Sequence, residues 1–330
     1  MNPALPDGRA GVNPAPTQGN RIFNEGRNNM AVVKSDIPRL LEAGLRAVFF
    51  DAYEAAPVSW EQIATVVPSE HDTEKYAWLG GVPKMREFKD ERVPAGLLEH
   101  DYSIKNKTWE ASIAVDRAAL EDDQYGQIKL RVQSMADEAR RHQDELVFGL
   151  IKDGFASLCY DGQYFFDTDH SEGDSGTQSN KGTSALAATS LQVAFTAMMK
   201  FKDDKGKPMG IAPDTLVVPA DLKWTAMELL ESVYAPDTAT GKTDTRKNVL
   251  SGSLSLVVSP YLTDSNDWFL LCTKRIVKPV IFQSRVPVEF SALEGNSENG
   301  FMRDQYVYGV RARYNVGYGL WQMAYGSQAT

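Results

Sequence analysis

The densest group of reactive side chains lies in the stretch CYDGQYFFDTDH, residues 159–170. It contains a thiol, three aspartates and an imidazole, which are ligand types that bind zinc or calcium in proteins. Asp167 and Asp169 stand at alternate positions, as they would in a calcium loop, and His170 follows directly. A calcium loop also requires a glycine at its sixth position, where this chain has Glu172. The stretch is therefore only a weak metal signal.

A zinc site would need one more soft ligand beside Cys159 and His170, and Cys272 is the only other cysteine. The stretch also has a simpler interpretation, because Asp161-Gly162 is a strong hairpin-turn signal with aromatic residues on both sides. Aspartate and histidine side chains in such a turn hold neighbouring backbone groups or pair with charges. We therefore predict no bound metal. The weak candidate ligands are Asp167, Asp169 and His170.

Two other short motifs suggest enzymes but lack what those enzymes require. GKTDT at 241–245 resembles a phosphate-binding loop, but that motif needs a glycine where Pro236 stands. GDSGT at 173–177 resembles the nucleophile loop of trypsin-like serine proteases, but the histidines lack that family's surrounding sequence. The sequence therefore predicts neither an enzyme nor a cofactor. The residues of a metal-dependent hydrolase, the weakest alternative, would be Asp161, Asp167, Asp169 and His170.

Size and composition are those of an ordinary globular protein. The chain has 330 residues, of which 42% are hydrophobic and 24% charged, and it can bury a sizeable core. Its apolar runs are far shorter than the roughly 20 residues of a membrane helix. The two distant cysteines indicate a reducing cytoplasm and no disulfide framework. A net charge of -9 argues against a broad nucleic-acid-binding surface. It is compatible with a surface that lies near DNA without binding it.

The N-terminal third combines an unpatterned segment, a helix and a polar strand region. Residues 1–34 are rich in Pro, Gly and Asn, which predicts an arm. Apolar residues at helical spacing then predict a helix that ends near Ala55. Residues 84–116 mix charged, aromatic and β-branched types, and alternation around Trp109 is typical of a strand. We predict a long polar β-hairpin with its turn near Asn106, which needs another chain or the rest of this one to lie on.

The strongest helical pattern follows, from Asp122 to about Gly154. Its apolar residues recur in steps of three and four and at roughly 1.5 Å per residue predict a helix near 45 Å long. They are Tyr125, Ile128, Val132, Met135, Ala139, Leu146 and Leu150. Helix and strand signals then alternate over residues 185–275. The C-terminal region is rich in β signals, with Tyr306, Tyr308, Val310, Ala312 and Tyr314 on one strand face. These patterns predict an α+β fold.

Several segments resemble the major head subunit of Mu-like phages and prophages. They are YAWLGGVPKMREFKDERV (76–93), KTWEASIAVDRAALEDDQYG (107–126), DELVFGLIKDGF (144–155), CYDGQYFFDTDH (159–170) and YGVRARYNVGYGLWQMAYG (308–326). The resemblance covers about residues 36–172 and 210–326. The Pro/Gly/Asn-rich leader, residues 1–34, is longer than the family leads us to expect.

The resemblance implies the α+β capsid fold that tailed phages and herpesviruses share. Its parts would be an N-terminal arm (1–34), an N-terminal helical segment (35–83), an extended hairpin loop that reaches over a neighbouring subunit (84–116), a peripheral domain (117–184) with its spine helix (122–154), an axial domain around the five- and six-fold axes (185–275), and C-terminal strands that return to the peripheral domain (276–330). On this interpretation, CYDGQYFFDTDH shapes the turn from the spine helix toward the axial domain.

The resemblance also implies a structural function. The chain would assemble with itself into the pentamers and hexamers of an icosahedral shell around double-stranded phage DNA, inside the bacterial cytoplasm, and end in the virion. Its partners would be scaffold, portal and decoration proteins, with DNA nearby but not bound by sequence, and no membrane. The candidate inter-subunit contacts are Arg86, Phe88, Arg92, Tyr102, Trp109 and Glu110. An alternative with the same fold is an encapsulin-like nanocompartment shell that stores an enzyme.

Overall fold

Two larger sheets and one long helix organise the part of the chain that the computed structural model describes, residues 37–79, 101–121, 125–236, 243–293 and 302–329. The helices are α1 (Ile37–Ala55), α2 (Trp60–Ile63), α3 (Arg117–Glu121), α4 (Tyr125–Lys152), α5 (Ala188–Met199) and α6 (Lys223–Glu231). The strands are β1 (Ala64–Pro68), β2 (Thr73–Lys75), β3 (Ser103–Lys105), β4 (Lys107–Asp116), β5 (Lys181–Gly182), β6 (Thr215–Pro219), β7 (Tyr234–Pro236), β8 (Thr243–Lys247), β9 (Ser255–Ser259), β10 (Trp268–Leu271), β11 (Val280–Leu293), β12 (Gln305–Tyr318) and β13 (Ala324–Ser327). The prediction of an α+β fold is confirmed.

The predicted spine helix is α4, which has 28 residues and is therefore about 42 Å long. Its N-terminal half buries Ile128 and Val132 in one core, as predicted. Its C-terminal half buries Phe148 and Ile151 in a second core that reaches the second sheet. The predicted stripe is less accurate in that half, where Leu150 is only half-buried. Because the two halves pack against different neighbours, the buried stripe changes direction along the helix.

The first sheet has the strand order β1-β11-β12-β4 and packs against α4. β1 runs parallel to β11, whereas the β11-β12 and β12-β4 pairs are antiparallel. The predicted face of β12 is buried, since its aromatic and small apolar residues are at most 7% exposed. These residues are Tyr306, Tyr308, Val310, Ala312 and Tyr314. The period of two along this segment therefore predicted both the strand and the face that meets the helix.

The hairpin turn predicted near Asn106 is wrong. β3 pairs with β2 across a register that joins Thr73 to Lys105, while β4 pairs with β12. Asn106 is buried, and its Nδ2 donates to the Ser69 hydroxyl and the His71 carbonyl. It therefore lies at the base of a hairpin rather than at its tip. The alternation in β4 correctly indicated a strand, but the apolar side of that strand has its partner within this chain.

Two other boundaries need correction. The predicted helical segment, residues 35–83, also contains β1 and β2, because the β-branched run in Ala64–Pro68 extends the first sheet beside β11. The C-terminal strands do not all join that sheet. β13 lies in the second sheet between β5 and β10, because the 3-10 turn at Trp321–Met323 redirects the chain after β12. The arm, residues 1–34, and the central part of the predicted hairpin loop, residues 80–100, lie outside the described residues.

The second sheet has the order β5-β13-β10-β6-β9. β6 and β10 lie inside it and are buried along their whole length, as continuous apolar runs predict for strands covered on both faces. Helix α5 packs against β13, and α6 packs against β6 and β9. None of the described helices combines the length and apolarity that crossing a membrane requires. The described residues from Pro38 onward form one compact unit.

Candidate functional site

The stretch with the most reactive side chains forms a tight turn just after the spine helix. The backbone N–H of Cys159 donates to the carbonyl of Gln163, and that of Gly162 donates back to Cys159. Gly162 has φ +85°, a left-handed conformation that glycine adopts without a steric penalty. The predicted turn at Asp161-Gly162 is therefore confirmed. It places the side chains of Cys159, Asp161 and His170 on the same inner side.

Asp161 and His170 form a buried hydrogen-bonded pair inside this turn. Nδ1 of His170 lies 2.6 Å from Oδ2 of Asp161, and the two side chains are 0% and 3% exposed. The Cys159 thiol donates to Oδ1 of Asp161 at 3.0 Å, and the Gln163 backbone N–H donates to the same oxygen. Both carboxylate oxygens therefore have donors within the protein. These hydrogen bonds offset the cost of burying a charged carboxylate in the protein interior.

The second ring nitrogen of His170 is also occupied. Nε2 lies 3.2 Å from Oδ1 of Asn180, whose Nδ2 donates to the Phe165 carbonyl at 2.8 Å. Oxygen atoms of Asp161 and Asn180 therefore face both ring nitrogens. The imidazole ring stacks on the Trp321 indole at 4.1 Å with only 6° between the planes.

Asn180 extends these contacts to the C-terminal segment. Its Nδ2 also approaches the carbonyls of Trp321 and Ala324, each at 3.3 Å. The group Cys159, Asp161, His170, Asn180 and Trp321, which we name the His170 hub, thus joins the turn after α4 to the segment between β12 and β13. Sequence reasoning identified the first three residues but gave no signal for Asn180 or Trp321, which are distant in the chain.

The pKa values in the hub indicate a structural role. Burial, the largest influence, would raise the pKa of Asp161, but hydrogen bonds from His170 and Cys159 more than offset it and the pKa is lowered. Burial and the adjacent Asp161 charge raise the pKa of the Cys159 thiol, so it stays protonated. In the described residues these three are the group with metal-ligand spacing, within 4.8 Å of one another. In this arrangement the thiol and the ring nitrogens of His170 make hydrogen bonds with Asp161 and Asn180.

The other two candidate ligands do not join this group. The Asp167 carboxylate accepts the backbone N–H groups of Tyr164 and Thr168, so it stabilises the local backbone. Asp169 is exposed. The structure therefore separates the four residues of the hydrolase alternative into a buried pair, Asp161 and His170, and two side chains with no shared site. Because the side chains of the buried pair are 0% and 3% exposed, they offer no open position for a substrate.

The candidate inter-subunit contacts fall in three different settings. Arg86, Phe88 and Arg92 lie outside the described residues. The Tyr102 hydroxyl accepts the backbone N–H of Tyr318 at 2.7 Å, and Nε1 of Trp109 donates to the Tyr314 carbonyl at 3.0 Å. Both aromatic side chains are half-buried against their own chain. Glu110 is exposed on the opposite side of β4 from Trp109.

A further charged cluster, centred on Asp72, lies at the base of the hairpin. The Asp72 carboxylate is 3.1 Å from Arg313 and 3.8 Å from Arg285, with Lys105 at 3.9 Å. These contacts join the β2-β3 base to the first sheet. The Asp72 side chain is 57% exposed, so water screens its interactions. Sequence reasoning missed this cluster because its members are far apart in the chain.

The comparison with known proteins agrees with the resemblance noted from the sequence. The sequence profile of the family described as "Mu-like prophage major head subunit gpT" matches residues 39–185, 179–262 and 263–330. The chain belongs to this family. A Mu-like prophage major head subunit from Haemophilus influenzae is 32% identical over 90% of this chain and 74% of its own length. The major capsid protein of Escherichia phage Mu is 28% identical over 89% of this chain and 74% of its own.

Solved capsid structures share the fold. The procapsid subunit of bacteriophage JBD30 aligns with a TM-score of 0.57 and 31% identity, over 89% of this chain and 76% of that one. A virus-like particle from Pyrococcus furiosus aligns at 0.54 over 86% of this chain and 98% of that one, but at 10% identity it shows the fold alone. The head-subunit family member described here therefore has the tailed-phage capsid fold. It is a structural protein of a phage head and not an enzyme.

Proposed function

We propose that this head subunit assembles into hexamers and pentamers of a closed icosahedral shell around double-stranded DNA. Family membership along almost the whole of the chain after residue 38 carries the proposal. The likeness to a procapsid subunit at 31% identity supports it. Contacts between copies of one chain in such a shell join two different surfaces, and they close only through the symmetry of rings and of the shell.

In this proposal the two larger sheets belong to different domains of the capsid subunit. The first sheet with α1 and α4 belongs to the peripheral domain, which includes most of residues 117–184 and also β11 and β12. The second sheet is the axial domain, which includes residues 185–275 together with β5 and β13. The excursion between β2 and β3, residues 76–102, is the extended loop, and its base is held by the Asp72 cluster. Residues 1–34 are an arm.

The inter-subunit contacts are the least constrained part of the proposal. Arg86, Phe88 and Arg92 stay candidates because the sequence places them within the excursion between β2 and β3. Glu110 stays a candidate because it is exposed at the centre of β4, an edge strand of the first sheet. Tyr102 and Trp109 act chiefly within their own chain, where both make hydrogen bonds to β12, so a contact with a second copy would use only their exposed edges.

The remaining partners follow from the same proposal. Scaffold and portal proteins direct the shell during assembly in the host cytoplasm, and decoration proteins bind it afterwards. Packaged DNA lies near the inner wall without sequence-specific binding, and the net charge of -9 favours a wall that does not retain it.

Negative-stain electron microscopy tests this proposal directly. The chain is expressed alone and together with the head genes that neighbour it, and each preparation is imaged after purification. We expect closed shells, or rings of five and six copies. Only small compact particles in both preparations would contradict the proposal.

A charge variant then tests the edge-strand contact. Glu110→Arg should reduce shell yield because it reverses a charge at the proposed contact. The matched control is Glu54→Arg, which reverses an exposed glutamate on α1. Equal shell yields from the two variants would remove Glu110 from the contact while leaving the proposed function unchanged.

A further inference from the structure

The side chain of Asp267 is buried, but one of its carboxylate oxygens has no hydrogen-bond partner. The residue is 6% exposed, and its Oδ1 accepts no hydrogen bond from the residues that the structure describes. The carboxylate accepts the backbone N–H of Ala329. A buried charge is costly without donors or a counter-ion, and proteins provide these from side chains, water or a bound ion. The Oδ1 atom of Asp267 therefore indicates a ligand from outside the polypeptide.

Asp264 adds a second negative charge to the same loop. Its Oδ1 accepts the backbone N–H of Asn266 at 2.9 Å, which folds the Asp264 side chain back along the loop toward Asp267. Burial, and after it the charge of Asp264, raises the pKa of Asp267. Two neighbouring carboxylates oppose each other's ionisation unless a positive charge lies close to both.

The protein itself supplies no such positive charge to this loop. No lysine, arginine or histidine occurs between Lys247 and Lys274. The described segment beside the loop is the end of β13, where Ser327 pairs with Trp268. The two residues that follow, Gln328 and Ala329, are uncharged. Neither the loop nor this segment therefore offers a counter-ion.

The side chains of the loop are ligands for a hard cation. Residues 263–267 have the sequence TDSND, in which every side chain contains an oxygen atom, and the first four residues are exposed. Calcium accepts six to eight carboxylate, carbonyl and water oxygens in a flexible geometry. Magnesium requires a nearly ideal octahedron, and softer metals prefer thiolate or imidazole ligands. An irregular loop with oxygen atoms alone therefore favours calcium.

We propose that the carboxylates of Asp264 and Asp267 bind one calcium ion in the loop before β10. The ion offsets the repulsion between the two carboxylates and takes Oδ1 of Asp267 as a ligand. Because the same carboxylate accepts the N–H of Ala329, the bound ion also holds the C-terminal segment against the loop. Both carboxylates belong to one copy, so binding does not depend on assembly.

Calcium titration of the full chain tests the site. The chain is treated with EDTA, exchanged into calcium-free buffer at pH 8 and titrated with calcium chloride by isothermal titration calorimetry. We expect one ion per chain with a Kd of about 10⁻⁴ to 10⁻³ M, as in weak calcium sites. The Tm should rise over the same calcium range, because the ion binds the folded chain.

Three variants locate the ion. Asp267→Asn should abolish both calcium effects, and it should fold well because it removes a buried charge. Asp264→Asn should weaken binding about tenfold or more, since affinity follows the number of charged ligands. Asp51→Asn, which changes an exposed aspartate on α1, is the matched control and should bind calcium like the unmodified chain.

Hydrogen exchange provides a local readout. Calcium should slow exchange of the backbone amides of residues 264–267 and of Ala329, and leave the amides of α4 unchanged. No calcium-dependent heat and no rise in Tm would overturn the proposal. Binding that persists in Asp267→Asn would also overturn it, because the ion would then lie elsewhere.

Salt and magnesium controls separate binding from general screening. An equal rise in Tm with magnesium chloride, or with sodium chloride at the same ionic strength, would overturn the calcium site, since screening alone reduces repulsion in a chain with a net charge of -9. None of these measurements requires a shell. Failure of calcium binding therefore leaves the proposed function unchanged, and failure of shell formation leaves the calcium site unchanged.

Discussion

Asp161 and Asp267 both have buried side chains, but their surroundings shift their pKa values in opposite directions. Asp161, in the turn after the spine helix, has donors on both carboxylate oxygens and a lowered pKa. Asp267, just before β10, is 6% exposed, and its Oδ1 has no hydrogen-bond partner. Burial first, and the nearby Asp264 charge second, raise the pKa of Asp267 to about 6.

The difference shows that partners, rather than burial, decide what a buried charge contributes. The His170 hub surrounds its carboxylate with a histidine ring nitrogen, a thiol and a backbone N–H. The Asp267 site supplies too few donors, and the folded chain holds a proton there more readily than the unfolded chain does. One aspartate therefore stabilises the fold at neutral pH, and the other opposes it.

Removing Asp161 should have the largest effect. Asp161→Ala removes the hydrogen-bond partner of the His170 ring, the Cys159 thiol and the Gln163 backbone N–H, and we expect a loss of about 2–3 kcal/mol in the free energy of unfolding because buried polar groups are left without partners. Urea denaturation of the unassembled chain measures it. Asp169→Ala, an exposed aspartate in the same stretch, serves as the control and should change stability by about 0.5 kcal/mol or less. A loss no larger than the control's would show that the hub does not depend on the Asp161 carboxylate.

Acid should remove the contribution of Asp161 in a defined window. Because its folded pKa is below the usual value of about 4, its stabilisation is fully present above that pH and is lost as the pH falls through the lower folded value. Urea midpoints measured below pH 4 should therefore fall more steeply for the unmodified chain than for Asp161→Asn, which cannot titrate. Parallel curves would contradict the lowered pKa.

Neutralising Asp267 should increase stability. With a folded pKa near 6 and an unfolded value near 4, the folded chain keeps a proton that the unfolded chain releases, so stability falls as the pH rises from about 4 to 6. Asp267→Asn should therefore be more stable than the unmodified chain at pH 8, by on the order of 1 kcal/mol.

The stabilities of Asp267→Asn and of the unmodified chain should converge near pH 4, where the side chain at position 267 is neutral in both folded proteins. Thermal unfolding at both pH values measures the difference, with the exposed neighbour Asp264→Asn as a control of smaller effect. A variant that is less stable at pH 8 would show that Asp267 has a compensating partner.

The exposed Asp72 cluster should give the smallest effect. Asp72→Ala removes ion pairs with Arg313 and Arg285, but the carboxylate is more than half exposed, and such pairs contribute about 1 kcal/mol or less. The loss should shrink further in high salt. Urea denaturation at low and high salt measures it. An effect as large as that of Asp161→Ala, unchanged by salt, would remove the distinction between the two environments.

Local patterns alone were sufficient for the elements with a strong period. The three-and-four spacing predicted α4, and the alternation of aromatic residues predicted β12 together with its buried face. The Asp161-Gly162 pair predicted the turn, because its chemistry depends only on adjacent residues. Multi-segment resemblance to a head-subunit family predicted the fold class and the structural function, which the family match confirms.

Only the tertiary structure decided which segments meet. The period of a strand does not predict its pairing partner. β4 was therefore predicted to form a hairpin, although it pairs with β12, and the pairing of β13 with β10 was not predicted. Asn180 and Trp321 complete the His170 hub from positions far along the chain, where no local pattern marks them. The opposite pKa directions of Asp161 and Asp267 arise in the same way. Each aspartate is next to an aromatic residue in the sequence, so the sequence does not distinguish them. Only the folded structure shows that Asp161 has hydrogen-bond donors on both carboxylate oxygens and that Asp267 does not.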